Sequence, residues 1–110
     1  MEVVIAKLPR VIDLRYLRWC RAQPCAFCER PPRSQAHHVI HKAMGGATRR
    51  DDYAVPACNN CHMRCHNQRV VENDRPLPRI PRVLQFAAAE AHRERYLRER
   101  YPTAPPIVPF

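Results

Sequence analysis

A chain of 110 residues is the size of one domain, and its 12 prolines and two glycines commit part of it to extended connection. Nineteen Lys and Arg against ten Asp and Glu give a net charge of +9, and 17 of the 19 cations are arginine, whose planar fork donates paired hydrogen bonds to phosphate; a polyanionic partner is expected. The first residues, MEVVIAKLPRVIDLR, hold an early acid and no long apolar run, so neither a signal peptide nor a membrane span is expected and the cytoplasm is the expected location.

In chain order, VIDLRYLRWCRA (11–22) places Ile12, Tyr16 and Trp19 at helical spacing with arginines between them, which predicts an amphipathic helix ending before Pro24. PCAFCERPP follows as a knuckle-like loop that its prolines keep from becoming helix. SQAHHVI (34–40) reads as a short strand, M-G-G (44–46) as a turn, and the residues around Tyr53 to Val55 as a second strand. From Cys61, CHMRCHNQRVVE lacks Gly and Pro and predicts a helix. PLPRIP reads as a rigid linker over 76–82, residues 83–101 as a helix rich in alanine and long side chains, and 102–110 as an extended tail. The expected organisation is a single domain over 1–110 with its core at 20–75 and a helix on either side.

Cys25-x-x-Cys28 and Cys58-x-x-Cys61 are thiol pairs separated by 29 residues. Each pair can wrap a loop around one tetrahedral Zn²⁺, and together they complete a four-cysteine structural site. Such an ion substitutes for the large core that so short a chain lacks, and pins the first strand to the start of the following helix. Two other readings fail on context. C-N-N-C-H at 58–62 matches haem attachment but has no export signal before it, and PCAFC has no βαβ pattern around it to suit a redox dithiol. Cys20 and Cys65 are expected to be packed or free thiols.

Five of the six histidines fall between residues 37 and 66. His62 and His66 are four apart on a predicted helix, hence on one face and able to share a metal. His37 and His38 are adjacent on a strand, where side chains diverge, so one can face a metal and the other a substrate. His41 reads as a surface or phosphate-contacting residue and His92 as solvated.

A-H-H-V-I, M-G-G and V-P-A-C-N-N-C-H-M-R-C-H together resemble the motif of the HNH, or ββα-metal, endonucleases, above all the small phage-associated type with paired C-x-x-C zinc ligands. The His-His dyad with H-x-x-x-H is also similar to the DNase domains of nuclease colicins. The resemblance runs from about Cys25 to His66 and implies an α+β fold: a small zinc-bound, treble-clef-like ββα-metal core with flanking N- and C-terminal helices. By position it implies His38 as general base and His37, His62 and His66 as ligands of one catalytic divalent cation (Mg²⁺, Mn²⁺, Ni²⁺ or Zn²⁺), beside a structural Zn²⁺ on Cys25, Cys28, Cys58 and Cys61. It departs from the pattern at Tyr53, which stands nine before His62 where the family has the Asn that orients the base. Tyr53, Asp52 or Asp51 is expected to take over that role.

The implied activity is phosphodiester hydrolysis on DNA by a cytoplasmic endonuclease, with Arg49, Arg50, Arg64 and Arg69 as phosphate contacts and a monomer favoured over an oligomer. The alternative is a non-catalytic zinc-containing module, a degenerate HNH unit that binds DNA or a protein, with Tyr53 marking the lost chemistry. Nucleobase deamination is excluded, because it needs H-x-E before the cysteines and only His92, after them, is followed by x-E.

Overall fold

The computed structural model describes residues 11–40 and 50–102. The M-G-G turn, His41, Arg49 and the tail from 103 lie outside the described residues. Within them the chain forms α1 (Leu14–Arg21), β1 (Gln35–His38), a 3-10 turn (Asp51–Tyr53), β2 (Ala54–Ala57), α2 (Asn59–Cys65), β3 (Val71–Glu72), β4 (Arg75–Pro76) and α3 (Arg82–Arg100). This is a small α+β fold of three helices and two antiparallel hairpins, β1-β2 and β3-β4. No helix among the described residues is long and apolar enough to cross a membrane.

Helix α1 begins three residues later than its apolar spacing predicts, because Asp13 caps it by accepting the Tyr16 N–H at 3.1 Å. Ile12 is therefore left outside the helix and exposed, and the buried face is Tyr16, Leu17 and Cys20. The first turn of the expected second strand is the 3-10 turn, so β2 starts at Ala54. It pairs with β1 in the register Gln35↔Ala57, Ala36↔Pro56, His37↔Val55, His38↔Ala54.

Helix α2 starts before Cys61, at Asn59, with the Cys58 sulfur as its cap, and it ends at Cys65 rather than running on to Glu72. Asn67, at φ 58°, takes the left-handed conformation that terminates helices. Beyond it, Asn73 and Asp74 both have positive φ, 51° and 61°. That two-residue reversal makes residues 71–76 a tight hairpin instead of helix, and Asn-Asp was its local signal. The proline segment then packs rather than spans: Ile80 is buried, its N–H donates to the Arg64 carbonyl, and the Arg64 side chain donates to the Pro78 carbonyl.

Packing places the β1-β2 hairpin among the helices. Tyr16, Leu17 and Cys20 of α1 meet Ala54 of β2 and Tyr96 of α3. Val39, Val55 and Ala89 form a second cluster, flanked by Phe27, Tyr53 and Phe86. Arg93 of α3 fastens α1 by donating to Asp13 at 2.7 Å while its guanidinium lies over the Tyr16 ring. His92 is half-buried rather than solvated, with Nδ1–H donating to the Ala88 carbonyl at 2.8 Å and its ring against Trp19.

The buried Tyr16 hydroxyl donates to the Ala54 carbonyl at 2.7 Å, tying α1 to the middle of the fold. Tyr16→Phe leaves that carbonyl without its donor and should cost about 1–2 kcal/mol. A urea titration checks this as a lower midpoint at unchanged slope.

Candidate functional site

The two C-x-x-C segments converge at one end of the β1-β2 hairpin. Cys25 sits in a loop closed by its own N–H to the Arg30 carbonyl (2.9 Å) and by Glu29 N–H to the Cys25 carbonyl (3.0 Å), with Glu29 at φ 61° completing the turn. Cys58 and Cys61 straddle the start of α2. Backbone N–H groups point at sulfur in both pairs, Phe27 to Cys25 and Cys61 to Cys58, each at 3.4 Å. The four sulfurs lie within 4.8 Å of one another, and those of Cys28 and Cys58 are 3.6 Å apart as free thiols. Four thiolates about 2.3 Å from a tetrahedral ion are about 3.8 Å apart, so this donor set suits a structural Zn²⁺.

The electrostatics agree with that fit. Burial opposes the Cys25 thiolate, but backbone N–H groups of Cys58, Phe27 and Cys28 outweigh it and bring its pKa down to about 7. Burial and the neighbouring thiols push Cys61 up, and Cys28 is raised as well. One charge is tolerated and further ones require a cation to balance them. Cys20 and Cys65 are not members of the four, and burial pushes each up to about 12, as expected of packed thiols.

The second constellation is His37, His62 and His66, whose ligand-capable nitrogens also lie within 4.8 Å of one another. Strand β1 supplies His37, while α2 presents His62 and, one turn on at its C-cap, His66. The three ring centroids are 4.9–5.0 Å apart, and the Nε2 atoms of His62 and His66 are 3.2 Å apart. Imidazole nitrogens about 2.0–2.1 Å from a tetrahedral ion are about 3.4 Å apart, so this set fits a cation as well.

In two of the rings the other nitrogen has a partner that helps fix its direction. His62 Nδ1 meets Gln35 Oε1, and His37 Nε2 is 2.8 Å from Gln85 Oε1. His37 is 1% exposed, and its buried Nδ1 has no hydrogen-bond partner among the described residues. Burial lowers the His37 pKa to about 4 and lowers that of His62, keeping both imidazoles neutral, the form that binds metal.

His38, the neighbour of His37 on β1, meets Asp51 instead, with Nε2 2.7 Å from Oδ1. The other Asp51 oxygen accepts the Asp13 N–H at 2.8 Å, so the carboxylate is fixed by the start of α1. The other candidates for orienting His38 are engaged elsewhere. Asp52 accepts two hydrogen bonds from Arg50, at 3.0 and 2.7 Å, and the Tyr53 ring packs edge-on against Phe86.

His38, His62 and His66 open together into a groove of about 400 Å³, walled by Leu17 and Arg21 of α1 and floored by Ser34, Gln35 and Ala36. Of the arginines expected at phosphate, Arg50 is paired with Asp52, Arg64 borders a separate cavity beside the cysteines, and Arg69 is exposed. Sequence reasoning missed Arg21, Gln35 and Gln85. Gln35 was within reach of it, two residues before His37 on one strand face. Arg21 sits in a run of helical arginines that nothing local tells apart, and Gln85 lies 48 residues from its partner.

Residues 3–74 match the family described as "Protein of unknown function (DUF968)". The "Uncharacterized protein YdfU" of Escherichia coli (strain K12) is 32% identical to this chain over 85 residues, which are 73% of this chain and 24% of that protein, so the chain spans about a quarter of that relative's length. No solved structure matches the chain.

Proposed function

We propose that this chain, which belongs to the DUF968 family, is a metal-dependent DNA endonuclease in which β1, β2 and α2 form a ββα-metal core held by zinc on Cys25, Cys28, Cys58 and Cys61. The observation that carries the reading is one open groove lined by a carboxylate-bound histidine, His38, and by His62 and His66, which with the buried His37 behind them form a cation-shaped cluster. A divalent cation held by that cluster would supply charge neutralisation on the phosphate and on the departing oxygen.

The chain's own residues account for the remaining needs of hydrolysis. Asp51 accepts from His38 Nε2–H, which fixes the tautomer and leaves Nδ1 as the basic nitrogen that takes the proton from the attacking water. Asp51 is thus the positioning residue that stands in for the amide missing at Tyr53. Arg21, which lines the groove together with His62 and His66, holds a backbone phosphate, and the net charge of +9 draws the polyanion in.

The test is nicking of supercoiled plasmid by zinc-reconstituted protein supplied in turn with Mg²⁺, Mn²⁺ or Ni²⁺. Cation-dependent nicking is the expected result. DNA binding with no nicking under any cation would replace this reading with a zinc-containing binding module. Arg21→Ala should weaken DNA binding and reduce the slope of log affinity against log salt by about one. Fluorescence anisotropy across a salt series reads both, and an unchanged slope would remove Arg21 from the phosphate path.

A further inference from the structure

Gln85 is a buried amide, 3% exposed, on the first turns of α3, outside the residues that match the family. Its amide group donates to two backbone carbonyls, Ile80 at 2.9 Å and Cys65 at 3.3 Å. Carbonyls only accept, so the NH₂ end of the side chain must face them, and Oε1 is turned the other way, 2.8 Å from His37 Nε2. An oxygen acceptor there requires the ring nitrogen opposite it to carry the proton. His37 is thereby written as the Nε2–H tautomer, and its lone pair lies on Nδ1, the buried nitrogen with no partner among the described residues.

We propose that Gln85 is a positioning residue for the histidine cluster: it locks His37 in the orientation and tautomer that turn Nδ1 toward His62 and His66, so that α3 sets the cluster's affinity for a cation. The proposal rests on the reading of His37, His62 and His66 as a cation site. Outer partners that donate to or accept from a ligating imidazole fix its direction and raise its basicity. Here the partner arrives from a helix that supplies no ligand. Through Cys65 and Ile80, the same side chain also joins the end of α2 to the proline segment, so the strand ligand and the helix ligands are braced by one amide.

The experiment uses the full chain with zinc on its cysteines, Ni²⁺ as the probe cation, and Gln85→Leu beside Gln85→Glu. Both substitutions lose the amide's paired donation to Cys65 and Ile80, and glutamate keeps an acceptor for His37 whereas leucine keeps none. Calorimetric titration should show Gln85→Leu weaker for Ni²⁺ by about 10–100-fold and Gln85→Glu close to wild type. In histidine-labelled wild type before Ni²⁺ is added, ¹⁵N NMR should show His37 protonated at Nε2, and this needs no variant to fold. Equal weakening in both variants, weakening in neither, or a wild-type His37 protonated at Nδ1 would overturn the proposal. Wild type that binds Ni²⁺ while the variants behave alike leaves the cation site standing without Gln85, whereas wild type that binds none overturns both.

Discussion

His38→Ala should lower plasmid nicking by about 10²–10⁴-fold, the range contributed by a positioned general base, with zinc content and helical circular dichroism unchanged. The two halves of this result follow from where the ring sits. His38 borders the groove, so the space left by its deletion adjoins that groove rather than the hydrophobic clusters. Asp51 keeps its hydrogen bond from the Asp13 N–H, so the carboxylate is not abandoned when the imidazole goes. Asp51→Asn tests the orientation separately. An amide can offer its N–H₂ to His38 and favour the opposite tautomer, so nicking should fall while DNA affinity holds. Asp52→Asn, which disturbs only the pair with Arg50, should leave the nicking rate near wild type. Wild-type nicking by His38→Ala would mean the proton is taken elsewhere, and the proposed mechanism would fall with it.

These residues also mark how far the chain could be read without its fold. Both C-x-x-C pairs and the H-x-x-x-H pair are local patterns, in which spacing fixes geometry, and the structure brings together the sets that spacing pointed to. The helix ends were harder, because they depend on single backbone positions: Asp13 as a cap, Asn67 as a terminator, and Asn73-Asp74 as a reversal that turns an apparent helix into a hairpin. Choosing among Asp51, Asp52 and Tyr53 was beyond local pattern altogether. The three are consecutive, and the 3-10 turn fans them in different directions, to His38, to Arg50 and to Phe86. Gln85 carries no signal of its own, since a glutamine in a helix is ordinary until the helix is packed against a histidine.

Removing the zinc proposed for the four cysteines should have the largest effect on the fold itself. Cys25, Cys58 and Cys61 are buried in a cluster whose other members are Ala57, Cys65 and Ile80, with Phe27 against it. Four of its six members are cysteines, so without an ion it is a small apolar contact around thiols, and burial and the neighbouring sulfurs push Cys61 and Cys65 up. Structural zinc in small domains contributes about 10–16 kcal/mol, against a total stability of about 5–15 kcal/mol for a typical domain. Cys58→Ser should therefore unfold the chain, read as loss of bound zinc together with loss of the helical signal. Serine is itself a good helix cap, so α2 keeps a capping side chain and the loss reports on the ion rather than on the cap. Cys65→Ala, in the same cluster but outside the four, should destabilise the fold modestly and still bind one zinc. Acid should mimic Cys58→Ser, because protons compete with zinc for thiolates as pH falls. Retained helix in zinc-free Cys58→Ser would show that the hydrophobic clusters hold the fold unaided, and the cysteines would then need another explanation.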